Sequence, residues 1–313
     1  RRVKSIGNFI AKKLADKLKT LKKDETQFYA DIWDSISPFI KIGAMEDEKF
    51  SEQVKEIILY STTKNTSADN EDNNELIKSG SKTFTTLDAY KNRLTDENKK
   101  VLYSTDEVSQ STALNMWTSQ GKEVLKLDTV IDTQFIPWLE EKNKEINFVR
   151  VDSELDESIK DDSPEIADKD GNTKSETLKK MISSALNNEK VTVQVQSLKG
   201  ENSPPSLILL PEQMRRINDI TALMEQKLPG LPEYHNLIVN SNHPLIQGLL
   251  KLNSNPIVVE GSSKSEESQL ASDIAIHVYE MAKLSIGGLE NKDIAAFQTR
   301  NAEVLGKLMK KFV

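Results

Sequence analysis

The chain has 313 residues, more than one compact domain usually holds, so two units are expected. Its 42 basic and 49 acidic residues leave a net charge of -7, which argues against nucleic acid or an anionic membrane as the main partner. The absence of cysteine excludes disulfides, thiolate nucleophiles and zinc ribbons, and fits a reducing cytoplasm.

The longest apolar run, at 207–210, falls far short of the roughly 20 residues that span a bilayer, and no charged-then-apolar leader opens the chain. A start at Arg1 and Arg2 without Met suggests an excised fragment. From about residue 4 to 60 the apolar spacing predicts three or four packed helices. Ile6, Phe9, Ile10, Ala11, Leu14, Leu18 and Leu21 form one stripe, and Phe28, Ile32, Ile36 and Ile40 form another. Residues 61–86 are rich in Asn, Asp, Ser and Gly and read as a surface connection.

A βαβ unit is expected next. Its strands are β-prone runs at 101–105 and 122–128, and its helix carries Val108, Ala113, Leu114, Met116 and Trp117 at covering spacing. Gly121 stands where that helix must stop and turn, a place that tolerates positive φ only without a side chain. A third strand is expected at 146–152. Residues 152–176 then hold ten acidic against three basic residues, which bury little and repel one another, so the domain boundary belongs there.

Beyond it, an amphipathic helix at 175–188 places Leu178, Met181, Ile182 and Ala185 on one face. Strands are expected at 191–198 and 206–210, with Pro204 and Pro205 forcing the turn between them and Val191, Val193 and Val195 alternating inward. A helix from about Glu212 to Gln226, a Pro-rich and Gly-rich loop and a strand at 236–240 follow. The next helix opens at Pro244, with Asn242 as candidate cap. Two closing helices are broken at Gly287 and Gly288. Leu270, Ile274, Val278, Met281 and Leu284 or Ile286 share one side of the first, and Ile294, Phe297, Val304, Leu305, Leu308 and Met309 share one side of the second. Each stripe needs a cover.

Chemistry is sparse. The three histidines, His235, His243 and His277, match no common metal spacing; His243 reads as a helix-opening residue and His277 as part of the terminal helix. No nucleophile elbow, zinc-protease motif, Walker loop or dinucleotide loop occurs, and the first βαβ strand leads to Ser104-Thr105-Asp106-Glu107 instead of a glycine-rich turn. Glu140 and Glu141 read as a solvated helix face. No catalytic, cofactor-binding or metal-ligating residue is expected.

Tyr90, Arg93, Leu102, Tyr103, Ser104 and Thr105, followed by Gly121, Glu123, Val124, Ile131 and Asp132, form a pattern whose order and spacing resemble the ninety-kilodalton heat-shock chaperone family, in its bacterial branch. Residues 4–18 are similar to the helix after that family's catalytic loop, and 239–250 to a strand and helix of its C-terminal domain. The resemblance covers nearly the whole chain, most weakly in the acidic middle. It implies an α/β (α+β) fold. Residues 1–153 would be the C-terminal part of the middle domain, with helices over 1–60 and a small three-layer βαβ unit at 85–152. Residues 154–173 would be an acidic linker. Residues 174–313 would be an α+β dimerisation domain ending in helices of a four-helix bundle.

The resemblance also implies a cytoplasmic homodimer that binds non-native client proteins, with no nucleic-acid or membrane partner. In the family, ATP and Mg bind an N-terminal nucleotide domain, helped by an Arg and a Gln from a middle-domain loop. Those positions fall upstream of Arg1, so this chain alone is expected neither to bind nor to cleave ATP and to hold no cofactor. The implied dimer contacts are Leu270, Ile274, Val278, Met281, Ile294, Phe297, Val304, Leu305 and Leu308. The implied client contacts lie on the helix at 212–226, at Met214 directly, and more loosely at Ile220, Leu223 and Met224, because the family's Leu-Phe pair falls near Thr221 and Ala222. Core packing is the plain alternative for that helix. A second client patch in the family follows Ile131 and Asp132. This sequence departs from it: Thr133, Gln134 and Pro137 hold the contact positions, while Phe135 and Trp138 are either shifted substitutes or core. An oligomeric scaffold or adaptor for one folded partner is the other reading of the same stripes. An enzyme on the βαβ unit lacks a phosphate loop or nucleophile.

Overall fold

The computed structural model describes residues 2–65, 76–94, 99–153, 155, 160–161, 173–200, 203–210, 234–254, 266–286, 288–289 and 291–309. They form two compact units, Arg1–Glu107 with Lys122–Val151, and Val108–Gly121 with Asp152–Val313. The segment that holds the βαβ helix thus groups with the second unit.

The first unit opens with α1 (Arg2–Asp24), α2 (Thr26–Glu46) and α3 (Glu48–Val54). The buried face of α2 is Tyr29, Ala30, Trp33, Ser37, Ile40, Lys41 and Ala44, one step round from the expected row. Phe28 is exposed instead, and Ile32 and Ile36 are half-buried. The rings of Tyr29 and Trp33, with centroids 5.5 Å apart, take the inward positions, where the Tyr29 hydroxyl donates to the Ile57 carbonyl at 3.0 Å. On α1, Ala15 and Leu18 are buried while Phe9, Ile10 and Leu14 are exposed, so the expected stripe is only partly covered within the unit. Asp47 caps α3 by accepting the N–H groups of Lys49 and Phe50.

A six-stranded sheet follows, made of β1 (Tyr60–Thr62), β2 (Ile77–Ser79), β3 (Lys82–Thr85), β4 (Lys100–Ser104), β5 (Leu125–Lys126) and β6 (Asn147–Arg150), in the order β2-β3-β1-β5-β4-β6. The stretch at 61–86, expected as a surface connection, therefore supplies nearly all of three antiparallel strands. Its polarity misled because Thr83, Phe84 and Thr85 are buried in the ladder, where a threonine hydroxyl finds partners. Between β3 and β4 a short helix, α4 (Leu87–Asn92), is capped by Thr86. Strand β4 runs parallel to both β5 and β6, with α5 (Ser111–Ser119) and α6 (Asp132–Lys142) in the connections. Gly121 has φ +73 with nothing within 4 Å of the place a Cβ would take, so the backbone conformation and not space requires glycine.

The second unit contains α7 (Lys174–Leu186), started by a reciprocal capping box between Thr173 and Glu176. Its sheet is β7 (Val191–Gln196), β8 (Ser206–Leu209) and β9 (His235–Asn240), in the order β7-β9-β8. Pro204 and Pro205 therefore do not turn β7 into a neighbouring β8; β9 lies between them, parallel to β7 and antiparallel to β8. The chain continues as α8 (Pro244–Ser254), α9 (Glu266–Ser285) and α10 (Asn291–Met309). His243, not Asn242, opens α8: its Nδ1 accepts the Leu245 N–H at 3.1 Å, while Asn242 Nδ2 donates to Asp161 Oδ2 at 3.2 Å.

Several residues that carry the family resemblance meet in the first unit. Arg93 Nε and Nη2 donate to the two oxygens of Glu123 at 3.0 and 2.9 Å, and Nη2 also donates to Thr85 Oγ1 at 2.7 Å. Thr62 Oγ1 donates to Glu123 Oε1 at 2.8 Å. The Tyr90 hydroxyl donates to the Glu123 carbonyl at 2.8 Å and accepts the Leu102 N–H at 3.2 Å. One carboxylate and one phenol thus tie β1, β3, α4 and β4 to the segment entering β5. The Arg93 and Glu123 side chains are 14% and 11% exposed, so removing either leaves the other charge uncompensated. Arg93→Met is expected to cost the first unit about 3–5 kcal/mol, and Arg93→Met with Glu123→Leu distinctly less. Urea unfolding followed by tryptophan fluorescence checks this; equal midpoints for the single and double variants would remove the pair from its clamping role.

Candidate functional site

The terminal helices hold most of the expected dimer residues, and the structure divides them. Leu270, Ile274 and Val278 on α9 are 3%, 5% and 0% exposed, because α9 packs on α7, β8 and α8 of its own unit. Val304 on α10 is 5% exposed. These four are core residues of a single chain, and the expectation of them as partner contacts is corrected accordingly. Met281 and Phe297 are half-buried. Ile294 and Leu305 are 37% and 55% exposed, and the Leu308 side chain lies outside the described residues.

Helix α10 therefore has two faces. Phe297, Arg300, Val304 and Lys307 recur every three or four residues and turn toward α9. Phe297 stacks on His277 with centroids 5.4 Å apart, Arg300 pairs with Glu280, and Lys307 Nζ reaches Asp273 Oδ2 at 2.6 Å. Ile294, Leu305 and Met309 form a second row at spacings of eleven and four that is left open, Met309 being 61% exposed. Leu284 of α9 is also open, at 52%.

Burial lowers the His277 pKa; Glu280 opposes that shift and Arg300 adds to it. Its Nδ1 and Glu280 Oε2 are buried atoms without a hydrogen-bond partner among the described residues. Lys307, with Gln269, holds the Asp273 carboxyl below its ordinary value against the opposing effect of burial. No group of three His, Asp or Glu residues fit to hold a metal occurs among the described residues.

The other expected surfaces fare differently. Met214, Ile220, Leu223 and Met224 lie outside the described residues. Phe135 is fully buried and stacks on half-buried Trp138 with centroids 5.2 Å apart, and the Lys41 ammonium sits 5.5 Å from its ring centre. Both aromatics belong to the core, since α6 turns Phe135, Ile136 and Leu139 inward and leaves Gln134 and Pro137 outside. Sequence reasoning missed Val130, 74% exposed just before α6, and Phe39, 76% exposed on α2; neither has a periodic signal that separates it from core.

The family model described as Hsp90 protein matches residues 1–311. Among curated relatives, a chaperone protein HtpG of Porphyromonas gingivalis is 31% identical over 265 residues, 79% of this chain and 35% of that protein. A chaperone protein HtpG of Bacteroides thetaiotaomicron is 28% identical over 263 residues with the same coverage, and one of Bdellovibrio bacteriovorus is 24% identical over 296 residues, 88% of this chain and 44% of that one. The chain thus spans about a third of the length of these first two relatives. Among solved structures, the middle domain of a Plasmodium falciparum heat shock protein aligns at TM-score 0.37 and 20% identity over 48% of this chain and 57% of that one, a likeness too weak to carry an argument.

The helix pair itself has a pH dependence. Because the folded state depresses the His277 pKa, the unfolded chain binds the proton first as pH falls, so stability is full above about pH 6.5 and declines below it. His277→Phe keeps the ring contact with Phe297 and is expected to flatten the part of the decline in melting temperature between pH 7 and 5 that His277 supplies. Thermal melts of both proteins across that range check it.

Proposed function

The chain belongs to the Hsp90 protein family, and from that premise we propose that it is the client-binding and dimerising part of a cytoplasmic molecular chaperone. The outward row of Ile294, Leu305 and Met309 on α10 carries the reading, because a second copy offers the same row and a two-fold pairing covers both at once. Two copies would hold two client surfaces near each other, so weak contacts on each act together through effective concentration. The client surface in this reading is the segment around Met214, with Ile220, Leu223 and Met224. The relatives' description as chaperone proteins supports it. No helix of the described residues is long and apolar enough to cross a membrane. ATP turnover is no part of the activity proposed for these residues.

In sedimentation experiments the chain is expected to run as a dimer. Leu305→Glu buries a charge twice across the two-fold and is expected to weaken the pairing by at least about 10-fold, since the open half of each leucine contributes roughly 0.8–1.5 kcal/mol. Val304→Ala, by contrast, acts on the chain's own core. A monomer at every concentration would end the dimer reading.

Client binding is tested separately, by suppression of aggregation of several unrelated unfolded proteins. Met214→Ser is expected to reduce it severalfold. Undiminished suppression by Met214→Ser would remove that residue from the surface, and activity toward one folded partner alone would favour an adaptor.

A further inference from the structure

A feature of the first unit has no part in that reading and does not depend on it. A cleft of about 260 Å³ lies where β4 and β5 end and β1 begins, with its floor on α2. Three of its lining residues are almost wholly buried yet end in polar groups that the protein leaves unused. Trp33, Ser37 and Tyr60 are 3%, 4% and 2% exposed. Among the described residues the Trp33 indole N–H and the Ser37 and Tyr60 hydroxyls have no hydrogen-bond partner, and all three residues line the cleft. Water serves such donors when the cleft is empty, and a ligand with a matching acceptor can take its place.

The chemistry of the floor selects that ligand. Lys41 Nζ donates to Asp132 Oδ1 at 2.5 Å, and Asp132 Oδ2 is taken by the Thr129 N–H and hydroxyl at 3.1 and 2.6 Å. Asp132 is therefore occupied; Asp128, also on the lining, is exposed and has no ion pair among the described residues. Trp33 and Lys41 are donors only, and the two hydroxyls can donate, so the group that suits all four is an acceptor. Leu59 and Phe84, 1% and 2% exposed, add an apolar wall. At the rim, Lys82 pairs with Asp34 at 2.6 Å and Lys126 with Glu107 at 2.9 Å, exposed pairs that reorganise at little cost.

We propose that this cleft binds a carboxylate carried on an apolar group, its oxygens received by the Trp33 N–H, the Ser37 and Tyr60 hydroxyls and the Lys41 ammonium. A single negative charge fits one half-neutralised ammonium and three neutral donors. A phosphate dianion needs a further cation, and the floor's only ammonium is already shared with Asp132. The volume is at the small end for ligand sites and admits one side-chain-sized group, either of a free organic acid or of the last residue of a polypeptide.

The test follows the Trp33 indole N–H resonance of the whole 313-residue chain, assigned through its loss in Trp33→Phe. N-acetylphenylalanine is expected to shift it saturably, and N-acetylphenylalanine amide to leave it in place. Tyr60→Phe and Ser37→Ala should each weaken the acid about tenfold, as removal of one hydrogen bond to a charged group does; the second variant serves should the first disturb the fold. Saturation by a tripeptide with a free C-terminal phenylalanine identifies chain ends as the source, and its failure beside a binding N-acetylphenylalanine identifies free acids. Equal binding of the amide, equal binding of inorganic phosphate, no shift at millimolar acid, or full affinity in both variants overturns the proposal.

Discussion

The arrangement of the first unit depends on a charge pair that water hardly reaches. Lys41 and Asp132 are 91 positions apart in sequence, with side chains 6% and 1% exposed. Taking two such charges from water costs several kcal/mol each, and the cost is offset only when the geometry is close and the remaining lone pairs are filled. Thr129 fills them, donating from both its N–H and its hydroxyl to the second Asp132 oxygen. The start of α6 is thereby fixed against α2, and rotation of α6 is settled with it. Phe135 comes to lie beneath the Lys41 ammonium, while Gln134 and Pro137 are left outside. The surface that this helix offers to any partner is thus a consequence of an ion pair, not of where its aromatic residues fall in sequence.

Arg93 and Glu123 obey the same rule elsewhere in the unit, where a mispaired strand would strand a carboxylate among threonines. The second unit uses charge differently. Arg300 with Glu280 and Lys307 with Asp273 sit on the edges of the α9 and α10 contact, around Val304 and the His277 and Phe297 stack. These pairs fix the register of one helix along the other. The apolar contacts between them supply the attraction, which carries no register information of its own.

How much of this was legible follows from the range of each signal. Helices α1, α2, α7, α9 and α10 and the strands β4, β5 and β6 announce themselves through local periodicity, and Gly121 through its backbone requirement. Strands β1 to β3 did not, because Thr83 and Thr85 look like loop residues until the ladder that accepts them is known. The buried face of α2 was placed one residue off, since Phe28 and Tyr29 are equally apolar and only packing chooses between them. Tyr90, Arg93 and Glu123 were recognisable as a pattern, but their hydrogen bonds join positions 30 and 33 apart, beyond any local repeat. The three orphaned donors around the cleft come from α2 and β1 and share no motif. The residues around Met214 fall outside the described part of the chain.

The hardest discrimination was between neighbours. Val304 and Leu305 are adjacent, lie about 100° apart around the helix, and differ in exposure by 5% against 55%. Both recur at three and four residues, so periodicity alone cannot say which row meets its own chain. The energetics then limit what the open row does. Ile294, Leu305 and Met309 are already about half covered, so pairing them with their copies gains roughly 5–9 kcal/mol from six side chains. Association costs about 4–15 kcal/mol. The row on α10 is therefore close to the threshold for pairing. A surface built so near its threshold favours a dimer whose strength is set by what lies beside the row, not by the row alone.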